Sequence, residues 1–157
     1  MHRIIGPFLV FLLVLPFGAA AQEKTPQMTY LDQMVGTFEY DHTDGRGECR
    51  KMGDFIVHCR SAWTNSSGEG AESVWITRLE PETGNMTAYR FYSHGYTDSG
   101  PVWINGEEAV TVYEGPGGLR QRITHSWSGN TLNFVWHESV RGGPWKHDSE
   151  GSATWIR

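Results

Sequence analysis

This sequence of 157 residues has little basic charge, only two cysteines and no motif typical of a catalytic centre. If Arg3 is left out, because it lies in an N-terminal segment that we expect to be cleaved, the sequence carries 12 basic and 18 acidic residues, a net charge of −6. Its one basic cluster is Arg120 with Arg122. Nucleic-acid backbones are bound by clustered Lys and Arg, so we expect no nucleic-acid partner. The histidines are scattered, and His137-Glu138 lacks a second His at zincin spacing, so we predict no metal and no cofactor.

The sequence also lacks an apolar run long enough to span a membrane. Residues 4–15 are almost all apolar, but a spanning helix needs ~20 such residues. A basic start at Met1-His2-Arg3 and the small residues Ala19-Ala20-Ala21 are typical of a signal peptide cleaved after residue 21. We therefore expect export to the bacterial periplasm or beyond, with no membrane span left after cleavage.

If the protein is exported, a disulfide between its two cysteines is expected, because disulfides persist in oxidising compartments. Cys49 and Cys59 flank a candidate hairpin, and a bridge between them would stabilise the fold by ~3 kcal/mol. A two-residue turn at Gly53-Asp54 would place Cys49 opposite His58, so the bridge requires a three-residue loop or a bulge. Two buried free thiols are the alternative.

Glycine and aromatic residues are abundant, with 19 Gly and 7 Trp, 6 Tyr and 7 Phe. Short runs of period two, separated by Gly-, Asn- and Pro-rich turns, predict an all-β, antiparallel up-and-down barrel of 8–10 strands. Thr25-Pro26 and the spacing of Met28 and Leu31 predict a short helix before it. The predicted organisation is a signal peptide (1–21), a segment with a short helix (22–35, the helix over 26–35) and one barrel domain (36–157). The predicted strands are 37–42, 46–51, 55–63, 72–79, 86–93, 101–104, 108–114, 119–128, 131–138 and 152–156.

Residues 119–139 give the clearest local prediction. Gly129-Asn130 suits a two-residue hairpin turn, and this turn pairs Ser128 with Thr131. The resulting register puts aromatic and aliphatic residues on one face and mostly polar residues on the other, as expected for a ribbon that covers a core. The predicted inward residues are Gln121, Ile123, His125, Trp127, Leu132, Phe134, Trp136 and Glu138.

The helix followed by Val35-Gly36-Thr37-Phe38-Glu39 resembles the start of lipocalin-like (calycin) barrels, with Phe38 in place of the usual Trp. The closing Thr154-Trp155-Ile156-Arg157 is similar to the last strand of that group, whose Arg stacks on the first aromatic residue. The resemblance therefore implies that Arg157 lies over Phe38. Residues 84–90 and 98–100 further resemble exported bacterial lipocalin-like proteins of unassigned function. The resemblance implies a fold and no catalytic residues.

The predicted inward faces suggest a cavity. On strand 86–93, Tyr89 and Phe91 are expected to face inward and Arg90 outward; an inward Arg90 could bind a carboxylate. In an apolar setting His125 would stay neutral and anchor a ligand, or it would be a core residue satisfied by a carbonyl or water. Glu138 would lie at the cavity mouth or meet an Arg or solvent at the rim. The candidate ligand-binding residues are Tyr89, Phe91, Ile123, His125, Trp127, Phe134, Trp136 and Glu138.

Three functions follow from these expectations. The first is a binding module for an apolar or amphipathic small molecule, although so many large side chains could simply fill the barrel. The second is a module that binds an envelope protein through the Gly-rich loops 65–71, 115–118 and 141–147. The third and least favoured is an enzyme that uses His125 and Glu138 as acid and base, which needs both residues in one open cavity. The sequence shows no nucleophile motif.

Overall fold

A computed structural model describes residues 24–65 and 67–156 and shows one closed, ten-stranded antiparallel barrel preceded by a short helix. The predicted fold class is confirmed. The predicted signal peptide and Arg157 lie outside the described residues, and the structure does not bear on them.

All ten predicted strands are present, and four of them are longer than predicted, two by several residues. The strand predicted at 101–104 begins at Thr97 and the strand predicted at 152–156 begins at Lys146, because polar residues there still join the sheet. A 3-10 turn, Pro116–Gly118, precedes the strand that begins at Leu119. The elements are α1 (Pro26–Met34), β1 (Gly36–Tyr40), β2 (Arg46–Lys51), β3 (Ile56–Thr64), β4 (Gly70–Leu79), β5 (Met86–Tyr92), β6 (Thr97–Asn105), β7 (Glu108–Glu114), β8 (Leu119–Ser128), β9 (Thr131–Val140) and β10 (Lys146–Ile156).

Each strand pairs with the next along the chain, and β1 pairs with β10, with Thr37 opposite Ile156 and Phe38 opposite Trp155. Closure gives every strand two neighbours and leaves no open edge for association with another sheet. The up-and-down order also sorts the connections. The loops after β1, β3, β5, β7 and β9 lie at one end, called here the mouth end, and α1 lies at the other, the helix end.

α1 begins where the sequence predicts. The Thr25 hydroxyl accepts a hydrogen bond from Met28 N at 3.3 Å, and Pro26 occupies the first turn, where no N–H is needed. Leu31 and Met34 are buried, and Trp155 Nε1 donates to Met34 O at 2.9 Å. The helix thus closes one end of the barrel.

The predicted disulfide is present between Cys49 and Cys59, which are direct partners on β2 and β3. Met52 N donates a hydrogen bond to Ile56 O, so the loop between β2 and β3 contains the three residues 53–55 and not two. This longer loop resolves the register difficulty noted for a Gly53-Asp54 turn. Both cysteines are 1 % exposed, so the bridge lies within the core.

The predicted β8–β9 hairpin is confirmed residue by residue. Ser128 pairs with Thr131, His125 with Phe134 and Ile123 with Trp136. Gly129 has φ 63°, the left-handed conformation that such a turn requires and that glycine adopts without strain.

Candidate functional site

A cavity of about 290 Å³ lies inside the barrel. Thr43, Trp63 and Tyr92 belong to its lining and come from the mouth-end turns and strand ends, so the cavity extends toward that end. Most of the remaining lining is aromatic or aliphatic. It consists of Phe38, Tyr40, Ser73, Trp75, Arg90, Tyr113, Ile123, His125, Leu132, Phe134, Trp136, Ala153 and Trp155.

One wall of the cavity is a stack of aromatic rings. Phe38 stacks on Trp155 with ring centroids 4.6 Å apart and on Trp75 at 6.3 Å, and Tyr40 meets it edge-on at 5.4 Å. Trp155 therefore packs directly on Phe38. Beside this wall, burial raises the pKa of Tyr40 to about 12, against the opposing effect of its hydrogen bond to Ser61. The phenol is thus neutral at physiological pH.

Arg90 is the main polar group of the cavity lining, and it is only 2 % exposed. Its Nε donates to Asp98 Oδ1 at 2.8 Å and its Nη2 donates to Asp98 Oδ2. The two residues form a bidentate ion pair, and the Asp98 side chain is buried as well. The guanidinium also lies 3.6 Å from the centre of the Tyr113 ring. Burial lowers the pKa of Arg90, but the Asp98 hydrogen bond and the nearby tyrosines outweigh it and leave the pKa raised, so the group stays charged.

A polar chain continues from Arg90 toward the mouth end. Arg90 Nη2 donates to Gln121 Oε1 at 2.7 Å, and Gln121 Nε2 donates to Glu138 Oε1 at 2.6 Å. The remaining nitrogen, Arg90 Nη1, is buried and has no hydrogen-bond partner among the described residues. Since most buried polar groups are paired, this nitrogen is a candidate ligand contact.

His125 is neutral in this setting. Burial lowers its pKa to about 4, with Arg90 adding to the effect. Its Nδ1 lies 3.1 Å from the hydroxyl of Tyr30 on α1. We assign the hydroxyl as the donor, which places the imidazole proton on Nε2. His125 is therefore both a core residue with a polar partner and part of the cavity lining.

Four predicted site residues come together in the lining, namely Ile123, His125, Phe134 and Trp136. Trp127 faces inward but packs on Trp155 at 4.9 Å, outside the cavity lining. Glu138 does not line the cavity and is joined to Arg90 through Gln121. His125 and Glu138 consequently do not share the cavity as an acid–base pair.

The predicted facing of β5 is wrong. Tyr89 and Phe91 lie on the outer surface, 37 % and 42 % exposed, and Arg90 points inward. Arg90 faces inward because Asp98 lies directly opposite it on β6 and pairs with it there. A charged side chain can be buried when it is paired and hydrogen-bonded, and this pair outweighs the burial of two aromatic rings.

Trp75, Tyr113 and Asp98 are among the site residues that sequence reasoning missed. A signal for the last was available, because a turn over Ser93-His94-Gly95 sets the β5–β6 register that aligns Arg90 with Asp98. Trp75 and Tyr113 sit on strands with apolar residues on both faces, where alternation does not decide the facing.

Among the described residues, no group of three or more His, Cys, Asp or Glu is placed to hold a metal ion. Within residues 24–65 and 67–156, no helix has both the length and the apolar character needed to cross a bilayer.

No family model matches the chain, and no curated protein matches it either. Among solved structures, the barrel is similar to the crystal structure of Rv2717c from M. tuberculosis, with a TM-score of 0.58 and 10 % sequence identity. The match covers 86 % of this chain and 100 % of that chain. At this identity the likeness shows a shared fold alone.

Proposed function

We propose that this protein is an exported binding module that takes up an apolar or amphipathic small molecule inside its barrel. The observation that carries the proposal is the cavity of about 290 Å³, with aromatic walls and a few fixed polar groups. Ligand sites in proteins have this character: mostly apolar, largely preformed and oriented by a small number of polar contacts. A cavity of about 150 Å³ holds one benzene ring, so this one suits a ligand of roughly two rings.

Two further features support the proposal. The Cys49–Cys59 disulfide fits an oxidising compartment and agrees with the predicted export. The resemblance to lipocalin-like barrels points in the same direction, because closed barrels of about eight to ten strands enclose space for one small ligand.

Binding is tested by titrating the purified protein with an environment-sensitive apolar dye and with fatty acids, following dye emission and tryptophan quenching. We expect saturable uptake of about one molecule per chain. The variant Thr43→Trp places a large ring in the cavity lining at the mouth end, and we expect it to weaken uptake at least about tenfold.

Thr83→Trp is the matched control for this variant. Thr43 and Thr83 both accept a turn hydrogen bond from a backbone N–H, at 3.0 Å from Gly45 and 3.2 Å from Asn85. Thr83 lies in a helix-end turn and does not line the cavity. No saturable uptake by the wild type, or equal uptake by both variants, would contradict the proposed site.

The two other predicted functions have less support. An envelope-protein module rests on a filled barrel, and the cavity is at odds with that premise. An enzyme using His125 and Glu138 needs both in one cavity, and Glu138 does not line it. Both stay predictions; capture of a specific partner from periplasmic extract by the loop regions would support the first of them.

A further inference from the structure

Two neighbouring residues of the cavity lining each carry an unpaired hydrogen-bond donor. Trp75 Nε1 and Arg90 Nη1 are both buried, and neither has a hydrogen-bond partner among the described residues. Trp75 on β4 and Arg90 on β5 are direct cross-strand partners, so their side chains leave the sheet as neighbours on one face. A ligand in this part of the cavity could supply the acceptor that these donors lack.

Leaving such donors unpaired destabilises a buried site, because each has given up its hydrogen bonds to water. The hydroxyl groups nearby are already used: Tyr40 donates to Ser61, whose hydroxyl is 2.9 Å from that of Ser73. The two donors therefore mark one polar part of the site, and the surrounding rings mark its apolar part.

The charge around the donors selects between ligand classes. Arg90 is neutralised by Asp98, and the polar chain from Arg90 ends on a second carboxylate, Glu138. His125 adds no positive charge because its imidazole is neutral. A carboxylate ligand would thus be desolvated without a free cation to balance it, which is costly at low dielectric. A neutral acceptor avoids that cost and still satisfies both donors.

We propose that the ligand is a neutral molecule of about two rings with a carbonyl-type oxygen that accepts hydrogen bonds from Trp75 Nε1 and Arg90 Nη1. The inference rests on the proposed function, since it assigns a chemical class to the ligand of the same cavity. It differs from an acid-binding site, which an inward arginine alone would suggest.

The test compares three probes of similar shape by titration calorimetry with the purified protein near neutral pH. They are 2-acetylnaphthalene, which has the carbonyl; 2-ethylnaphthalene, which lacks it; and 2-naphthoate, which carries the charge. We expect the ketone to bind about tenfold more tightly than the hydrocarbon, and the carboxylate to bind more weakly than the ketone.

Trp75→Phe removes one donor and keeps an aromatic ring, whereas changes at Arg90 would also disrupt its buried pair with Asp98. We expect Trp75→Phe to reduce the ketone's advantage over the hydrocarbon to about threefold. The control is Trp103→Phe, at a residue 52 % exposed and outside the cavity lining, which should leave the advantage unchanged.

The outcomes separate the two proposals. If none of the probes binds, the binding cavity is refuted and this inference with it. If the hydrocarbon binds as tightly as the ketone, or the carboxylate binds most tightly, the cavity stands and the neutral-acceptor ligand is refuted. An unchanged preference in Trp75→Phe overturns the role of Trp75 as a donor.

Discussion

Replacing Asp98 by asparagine leaves the Arg90 guanidinium charged and buried without its counter-charge. Both side chains are almost fully enclosed, 2 % and 0 % exposed, so water cannot replace the lost carboxylate. Removing one partner of a buried ion pair costs about 3–5 kcal/mol of folding free energy. We expect Asp98→Asn to lower the free energy of unfolding by that amount, and the midpoint of thermal unfolding by roughly 10 °C.

The measurement is urea denaturation followed by tryptophan fluorescence, repeated for a double variant and a control. Arg90→Met/Asp98→Leu removes both charges, and we expect it to regain at least about half of the loss, because apolar residues can replace a buried pair. Glu72→Gln breaks the exposed pair with Arg60, whose side chains are 53 % and 67 % exposed, and should cost less than about 1 kcal/mol. An Asp98→Asn loss as small as that of Glu72→Gln would refute the reasoning.

Three further predictions concern the core. Burial lowers the pKa of His125 to about 4, below its unfolded value near 6.5, so unfolding takes up a proton between these values. The contribution of neutral His125 to the free energy of unfolding is therefore fully present above about pH 6.5, and up to about 3 kcal/mol of it is lost as the pH falls toward about 4. We expect His125→Gln to flatten that part of the plot of urea midpoint against pH, and an identical plot for the variant would contradict this prediction. Replacing both Cys49 and Cys59 by alanine should lower the free energy of unfolding by about 3 kcal/mol, and an unchanged urea midpoint would argue against the cross-link's contribution. A Cβ at Gly47 would sit 2.3 Å from Phe38 Cζ, so Gly47→Ala should cost about 1–3 kcal/mol; Gly70→Ala, with open space around it, is the control, and equal thermal midpoints would disprove the clash.

The strongest sequence predictions came from turns that fix a register. Gly129-Asn130 determines the β8–β9 pairing, and the pairing alone puts Ile123, His125 and Trp136 on the inner face. The local pattern was sufficient because one face of this hairpin is apolar and the other polar, so only one orientation buries the apolar side. The barrel itself follows from a succession of such short connections.

The facing of β5 could not be obtained from that strand alone. Tyr89 and Phe91 alternate with Arg90, and burial of rings is the better choice if each strand is considered alone. The deciding interaction joins two strands, because Asp98 on β6 makes an inward Arg90 acceptable. The volume of the cavity could not be predicted from the sequence either, since it depends on how rings from distant strands, such as Phe38 and Trp155, pack together.

The pairing of β1 with β10 has a consequence for biosynthesis. Thr37 and Ile156 are 119 residues apart, so the first strand acquires its second neighbour only after the last strand has left the ribosome. Joining segments so far apart along the chain is entropically unfavourable and makes folding slow. Until that moment the backbone N–H and C=O groups along one side of β1 have no strand to bond with, and the nascent chain is exposed to association with other unfinished chains.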